Sequence, residues 1–140
     1  MFQRVLVALD SSAQAPVVAG ILAQLNLTDQ SHVVLTHIMA LADQSHDVTQ
    51  SLPTMDIDSG QAEQYLLSYQ RRLPCPSHIE IAQGEPVQEI IRLAKIHRSD
   101  LIVLGSRGLT GLNRILQGSV SSQVLAESPC SVLVVKTAPD

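Results

Sequence analysis

The sequence predicts an α/β fold, a doubly wound five-stranded parallel sheet with helices on both faces. Short apolar runs alternate along the chain with segments of helical periodicity, the pattern of parallel strands joined by helical crossovers. The composition is 45% hydrophobic and 2% aromatic, so Val, Ile, Leu and Ala must form the core, as in buried parallel strands. The length of 140 residues suits one domain, and we expect residues 1–140 to form it.

Five short apolar or alternating runs predict the strands. The first run is rich in β-branched residues and is followed by the polar residues Asp10, Ser11 and Ser12. The five predicted strands are residues 3–9, 32–39, 77–83, 101–104 and 131–136.

Four segments with apolar residues at helical spacing predict helices between these strands. Ser11 or Ser12 can cap the first helix, and Pro86 suits the first turn of the third. The predicted helices are residues 13–25, 61–73, 86–97 and 119–127. The polar stretch 42–59 has no periodicity and predicts a loop or a lid.

In a doubly wound sheet, ligands bind beyond the carboxyl ends of the strands, at the point where the strand order reverses. If the first and fourth strands are neighbours at that point, Asp10 and Gly105 face one crevice.

The charge and cysteine usage exclude several classes of function. The net charge of -4 and the pI near 5.6 argue against a nucleic-acid binder, which needs clustered Lys and Arg. Cys75 and Cys130 lack the spacing of a zinc site or a disulfide scaffold. Since the sequence shows no signal peptide and no long apolar run, we expect a soluble cytoplasmic protein without a membrane partner.

A glycine-spaced segment directly follows the fourth predicted strand. Gly105 and Gly108 permit a tight turn and a close approach of ligand to backbone. Gly118 and Ser119 open the last predicted helix, where unpaired N–H groups and the positive end of the helix dipole favour an anion. The segment therefore predicts an anion-accepting turn between strand and helix.

The local charge agrees with this prediction. Residues 101–126 contain Arg107 and Arg114 but no Asp or Glu, which is a charge of +2 within an acidic chain. In an isolated pattern of this kind, the glycines would more often mark ordinary turns and Ser119 would merely cap a helix. Arg107 and Arg114 either contact phosphate or are ordinary solvated charges.

The extended pattern, with Gly105, Gly108, Gly118 and Ser119 at these intervals, resembles the ATP-binding signature of the universal stress protein family. The likeness runs the length of the chain. It includes VLVALDSS at 5–12, VVLTHIM at 33–39, GEP at 84–86, SDLIVLGSRG at 99–108 and SPCSVLVVK at 128–136. The resemblance implies a Rossmann-like fold of the adenine nucleotide alpha hydrolase type with strand order 3-2-1-4-5.

The resemblance also implies the roles of individual residues in binding ATP. Asp10 meets the ribose or, as an alternative, a magnesium ion, and the backbone around Ile38 meets the adenine. Gly105 approaches the ribose. The residues implied around the phosphates are Gly108, Gly118, Ser119 and Val120. Arg107 is a further candidate for phosphate contact because of the local charge and not because of the resemblance.

Other candidate residues have structural interpretations. Asp10 could equally cap the first helix. His37, inside an apolar run, is more typical of a hydrogen-bonded histidine at a strand end than of a metal ligand. Cys130 is typical of a small buried residue. The remaining histidines, His32, His46, His78 and His97, have no ligand spacing.

The sequence favours a binding module over a fast enzyme. It contains no GxxxxGK[ST] motif, no GxSxG elbow and no GxGxxG motif. We therefore expect a nucleotide-responsive signalling or stress-tolerance module, in which ATP orders residues 110–117 and the 42–59 stretch and so alters the surface for a protein partner. The alternatives are a slow ATPase that uses Asp10 and Mg²⁺, and an interaction module that binds AMP or cyclic AMP.

Self-association is the remaining expectation. Residues 132–135 form an apolar strand that would lie at the edge of the sheet, and an exposed edge of this kind requires cover. The family resemblance implies a homodimer in which this strand pairs with its twin.

Overall fold

A parallel sheet of five strands lies at the centre of the protein. The computed structural model describes residues 2–9, 15–39, 59–105 and 118–136. All four strand pairs are parallel, and the strand order is β3-β2-β1-β4-β5, which confirms the predicted fold. The strands are β1 (Arg4–Ala8), β2 (His32–Met39), β3 (Ser77–Gln83), β4 (Leu101–Gly105) and β5 (Ser131–Val135).

Helices cover both faces of the sheet, as predicted. They are α1 (Ala15–Ile21), α2 (Ser59–Gln70), α3 (Pro86–Ile96) and α4 (Gly118–Glu127). The chain moves from β1 to β3 in one direction and then returns past β1 to β4 and β5. Because crossovers between parallel strands are right-handed, this reversal puts α1 and α2 on one face and α3 and α4 on the other.

Two helices end earlier than their periodicity predicts. The first α-helix stops at Ile21 and continues as a 3-10 helix, Leu22–Gln24, a common way to tighten a last turn. Helix α2 stops at Gln70 rather than at residue 73. Leu73 instead closes a turn through its N–H to the carbonyl of Gln70, because Pro74 disfavours helical backbone in the preceding residue.

Strand β1 is buried on both faces. Val5, Val7 and Leu9 pack in the core beneath α1 and α2, whereas Leu6 and Ala8 pack in the core beneath α3 and α4. None of these five side chains is more than 2% exposed. The continuous apolar run that predicted this strand is thus explained by helices on both sides.

The carboxylate of Asp100 ties the start of β1 to the start of β4. Its two oxygens accept hydrogen bonds from the backbone N–H groups of Gln3 and Arg4, each at 2.9 Å. The N–H of Asp100 donates in return to the carbonyl of Arg4 at 2.7 Å. This reciprocal pairing sets the register in which Val5 lies beside Leu101.

Helix α3 begins as the GEP turn predicts. Glu85 is the N-cap, and its side chain accepts the N–H of Gln88 at 2.8 Å, while Pro86 occupies the first turn. Gly84 has φ 147°, a value that favours glycine, and donates its N–H to the carbonyl of Met39.

At its other end, α3 closes with left-handed backbone at a residue that is not glycine. Arg98 has φ 53°, its N–H donates to the carbonyl of Lys95, and the N–H of Ser99 donates to the carbonyl of Ala94. This is a Schellman motif, in which glycine is the favoured residue at the position of Arg98.

Replacing the exposed Arg98 by glycine should therefore stabilise the protein. Left-handed backbone costs a non-glycine residue about 1–2 kcal/mol, and the greater freedom of glycine in the unfolded chain offsets about 0.5–1 kcal/mol of this. We expect Arg98→Gly to raise the free energy of unfolding in urea by about 0.5–1 kcal/mol. The control Asn26→Gly, at φ 55°, should gain less because Asn tolerates this conformation. A lower unfolding free energy for Arg98→Gly would contradict the prediction.

Candidate functional site

The strand order reverses at β1. After β1 the chain crosses the face covered by α1, whereas after β4 it crosses the opposite face, covered by α4. In doubly wound sheets, ligands bind beyond the carboxyl ends of the strands at such a reversal, so the crevice expected from the sequence would lie beyond the ends of β1 and β4. The predicted adjacency of β1 and β4 is confirmed. Gly105, the last residue of β4, lies at this edge of the sheet.

Ile38 lies beside this point with a buried side chain and with backbone groups directed towards β1. Its side chain is 7% exposed and packs in the core beneath α3 and α4. Along β2 the backbone groups of successive residues point to opposite neighbours. The N–H of His32 and the carbonyl of Thr36 bond towards β1, and the carbonyl of Met39 bonds towards β3. By this alternation, the N–H and carbonyl of Ile38 point towards β1.

The ladder between β1 and β2 ends just before Ile38 among the described residues. Its last backbone bond runs from the N–H of Leu9 to the carbonyl of Thr36, at 2.9 Å. On this side, no described residue accepts a hydrogen bond from the N–H of Ile38, and none donates one to its carbonyl. Among the described residues, the N–H and the carbonyl of Ile38 therefore have no hydrogen-bond partner on the side of β1.

Beyond this last backbone bond, the side chain of His37 makes the next hydrogen bond between β2 and the end of β1. Its Nδ1 lies 3.0 Å from the carbonyl oxygen of Leu9, and its side chain is buried beneath α1 and α2 with the ring of Tyr65 edge-on at 6.2 Å. The interpretation of His37 as a hydrogen-bonded strand residue is therefore confirmed. Its partner is the residue that immediately precedes Asp10.

Helix α4 starts where the sequence predicts an anion-accepting turn. The helix begins at Gly118, one residue before the predicted start, so Gly118, Ser119 and Val120 are its first three residues. Their N–H groups have no partner within the helix, and the first turn contains no acidic residue. Since α4 runs back from the end of β4 to the start of β5, this end of the helix lies at the carboxyl edge of the sheet.

Val120 can contribute only through its backbone. Its side chain is half-buried and packs against the core beneath α3 and α4. The implied contact between Val120 and phosphate therefore reduces to its N–H group.

Three implied site residues lie outside the described residues, namely Asp10, Arg107 and Gly108. Residues 110–117 and nearly all of the 42–59 stretch lie outside them as well. Within the described part of the chain, Ile38, Gly105 and the start of α4 share one edge of the sheet.

Sequence reasoning missed an open groove of about 620 Å³ beside helix α2. Its described lining is uncharged and runs along most of the helix, where the ring of Tyr65 also contacts the ring of His37. A row of polar residues on one helix face is its sequence signal, but solvated helices have the same signal. The lining residues are Gly60, Gln61, Gln64, Tyr65 and Ser68.

Three histidines without ligand spacing come together at the opposite edge of the sheet. The rings of His32 and His78 lie 5.6 Å apart, and those of His78 and His97 lie 6.3 Å apart. Nε2 of His97 lies 3.2 Å from a carboxylate oxygen of Glu80. Strand register brings His32 near His78, and the end of α3 adds His97, an arrangement that spacing along the chain does not reveal. In residues 2–9, 15–39, 59–105 and 118–136, no group of three or more potential ligands could hold a metal ion.

Two further observations concern reactivity and membranes. Burial raises the pKa of the Cys75 thiol, which favours the protonated form over the nucleophilic thiolate. Of the helices in the described ranges, none is long and apolar enough to span a bilayer.

The fold and the crevice define a doubly wound α/β protein of the kind that binds ligands at a topological switch point. The chain belongs to the universal stress protein family, whose sequence model matches residues 1–136. This confirms the resemblance drawn from the glycine pattern.

Curated relatives match over part of their length. The chain is 49% identical over 59 residues to universal stress protein MJ0531 of Methanocaldococcus jannaschii, a match that covers 42% of this chain and 35% of that protein. It is 49% identical over 55 residues to universal stress protein YxiE of Bacillus subtilis, which covers 39% of this chain and 37% of that protein. These matches therefore span less than half the length of either relative.

Solved structures match over nearly the whole chain. Hypothetical protein MJ0577 superposes with a TM-score of 0.77 and 25% identity, over 100% of this chain and 99% of that chain. Its source is Methanocaldococcus jannaschii. A universal stress protein in complex with cAMP gives a TM-score of 0.63 and 19% identity, over 98% and 99% of the two chains. A universal stress protein family protein from Arabidopsis thaliana with AMP bound gives a TM-score of 0.66 and 22% identity, over 99% of this chain and 94% of that chain. The last two likenesses show the fold.

A buried hydroxyl lies two residues before Ile38. Thr36 is 0% exposed, and no described residue hydrogen-bonds to its Oγ1. Because an unpaired buried hydroxyl costs about 1–3 kcal/mol, we expect Thr36→Val to raise the free energy of unfolding by about 1 kcal/mol. Chemical denaturation measures this effect. The control Thr36→Ser keeps the hydroxyl and loses a methyl group, so it should destabilise the protein; a destabilising Thr36→Val would show that the hydroxyl has a partner.

Proposed function

We propose that this chain binds an adenine nucleotide, with ATP and Mg²⁺ as the preferred ligand, in the crevice between the ends of β1 and β4, and that it acts as a nucleotide-responsive module. One observation carries the proposal. The backbone of Ile38 and the start of α4 present hydrogen-bonding groups at the same edge of the sheet, on the two sides of the strand reversal.

The backbone of Ile38 suits the edge of adenine. Adenine has an acceptor at N1 beside a donor at its N6 amino group, and proteins read a base by hydrogen bonds to this edge. The N–H of Ile38 would donate to N1, and its carbonyl would accept from the amino group. The same pair of groups would oppose a donor with a donor on guanine, so the proposal includes a preference for adenine.

The start of α4 suits the phosphates. The unpaired N–H groups of Gly118, Ser119 and Val120 and the positive helix end would hold phosphate oxygens. Gly105 would allow the ribose to approach the end of β4. Asp10 would meet the ribose hydroxyls or Mg²⁺, and Gly108 and Arg107 would complete the phosphate site.

The family supports an adenine nucleotide, since members of the same fold hold cAMP and AMP. The glycine pattern favours ATP over these smaller nucleotides. Backbone N–H groups and glycines have no titratable proton to transfer, so binding without rapid turnover is the function that this site supports best.

The first experiment is to purify the protein without added nucleotide, denature it, and identify released adenine compounds by mass spectrometry. Native protein is then titrated with ATP and Mg²⁺, AMP or cyclic AMP in a calorimeter. We expect ATP to bind more tightly than AMP and cyclic AMP, and to persist over hours of incubation. Absence of binding to all three would refute the proposal, whereas steady release of ADP would establish a slow ATPase.

A valine at position 118 should block the phosphate site. Its side chain would stand in the space that the proposal gives to phosphate oxygens, so we expect Gly118→Val to raise the Kd for ATP by at least about 100-fold, or about 2.8 kcal/mol. The matched control is Gly20→Val, because a Cβ at Gly20 meets no atom within 4 Å and this residue lies in α1. Circular dichroism should show folded protein for both variants. If Gly118→Val binds ATP as tightly as the parent, the phosphates lie elsewhere.

We also propose that the chain forms a homodimer through β5. This strand lies at the end of the sheet order, and its residues 132–134 are apolar and half-buried. An apolar edge strand leaves a row of N–H and carbonyl groups without a partner strand and favours pairing with a second copy.

A charge on β5 should therefore dissociate the dimer. We expect analytical ultracentrifugation to give twice the 15.1 kDa of one chain, and Leu133→Lys to sediment as a monomer because an edge lysine opposes strand pairing. The control is Leu125→Lys, the same change at an exposed apolar residue of α4, which should remain dimeric. A monomeric parent protein would refute this proposal and leave nucleotide binding untouched.

A further inference from the structure

The carbonyl of Leu9 has an unusual partner for its place in a parallel ladder. In regular parallel pairing, a residue that donates its N–H to one residue of the neighbouring strand accepts, at its carbonyl, the N–H two residues further along that strand. Leu9 donates to the carbonyl of Thr36. Its carbonyl should therefore accept the N–H of Ile38.

The imidazole of His37 takes that place instead. Nδ1 of His37 lies 3.0 Å from the carbonyl oxygen of Leu9, and no bond from Ile38 N–H to Leu9 is found. Strand β1 accordingly ends at Ala8, one residue before Leu9. A side chain has replaced a main-chain donor, and the main-chain donor is left pointing at the crevice.

We propose that His37 is a positioning residue that keeps the N–H of Ile38 available for the ligand base. This inference rests on the proposed adenine nucleotide site and adds a residue that does not itself touch the ligand. By bonding the carbonyl of Leu9, His37 prevents the ladder from closing onto Ile38. It also holds the chain in place directly before Asp10.

The chemistry of the ring fits this role. A carbonyl oxygen only accepts hydrogen bonds, so Nδ1 must hold the proton, and both the neutral Nδ1–H tautomer and the imidazolium provide it. The ring is 9% exposed and lies against Tyr65 at an interplanar angle of 80°. Burial and this contact hold the imidazole in the orientation that reaches Leu9.

Hydrogen exchange tests the proposal without any nucleotide. In His37→Leu the carbonyl of Leu9 loses its side-chain donor and is free to accept the N–H of Ile38. We expect the Ile38 amide to exchange at least about tenfold more slowly in this variant than in the parent protein, since exchange slows when an amide gains a bond. In His37→Asn, whose amide N–H₂ can replace Nδ1–H, exchange should resemble that of the parent. Equal or faster exchange at Ile38 in His37→Leu would overturn the proposal.

Nucleotide binding tests it through one atom of the ligand. The probes are ATP and 1-deaza-ATP, in which a C–H group replaces the N1 acceptor. The parent and His37→Asn should bind ATP about three- to tenfold more tightly than the analogue, the effect of one hydrogen bond. His37→Leu should bind both about equally. A purely structural histidine would weaken the binding of both ligands and preserve their ratio, which would overturn the proposal.

The control is His32→Leu, the same change at the other end of β2, which should keep the parent's ratio of the two affinities.

The exchange and binding experiments separate the role of His37 from the proposed nucleotide binding. If the parent protein binds neither ligand, the proposed function fails and the exchange of Ile38 alone decides the role of His37. If the parent protein binds ATP and 1-deaza-ATP equally well, the proposed role of His37 is wrong, whereas the proposed nucleotide binding stands.

Discussion

The fixed position of β1 is the constraint on which the rest of the structure depends. It is buried on both faces and paired with β2 on one side and β4 on the other. Asp100 clamps its first residues to the start of β4 through two hydrogen bonds of 2.9 Å. Because strands rise by a fixed length per residue, a clamp at one edge also sets where Leu9 and Gly105 lie at the other. The hydrogen bonds of Asp100, at the edge of the sheet opposite the proposed crevice, thus determine how the strand ends at the crevice are placed.

Much of this architecture is readable from the sequence because burial requires it. A strand such as 5–9, covered on both faces, must be apolar throughout, and a helix such as α3 starts where Pro86 follows the capping residue Glu85. The errors occur where local chemistry overrides periodicity. Leu73 continues the apolar stripe of α2, but Pro74 ends the helix first.

The candidate site was less predictable, for a physical reason. Glycines at 105 and 118 and the absence of acids near them predict an anion site, because those properties belong to residue types. The direction of the Ile38 backbone and the bond between His37 and Leu9 depend on strand register, which no residue type reveals. Likewise, Val120 follows Ser119 in the sequence pattern, yet its half-buried side chain packs against the core. Sequence thus suggests candidate positions, but it does not say which atoms of these residues face a ligand.

A site built from main-chain groups favours retention of a ligand over its conversion. N–H and carbonyl groups are rigid parts of the sheet and helix, so they need little reorganisation to meet a base or a phosphate, and they neither accept nor release protons at neutral pH. A fast phosphotransferase places charged and titratable side chains around the leaving phosphate. Among the described residues, Ile38, Gly105 and the start of α4 lie at this edge of the sheet, and the buried imidazole of His37 beside them is bonded to Leu9. Of the described residues at this edge, Ile38, Gly105 and Val120 carry no titratable side chain, so a ligand bound in the proposed crevice would be held here mainly through the backbone.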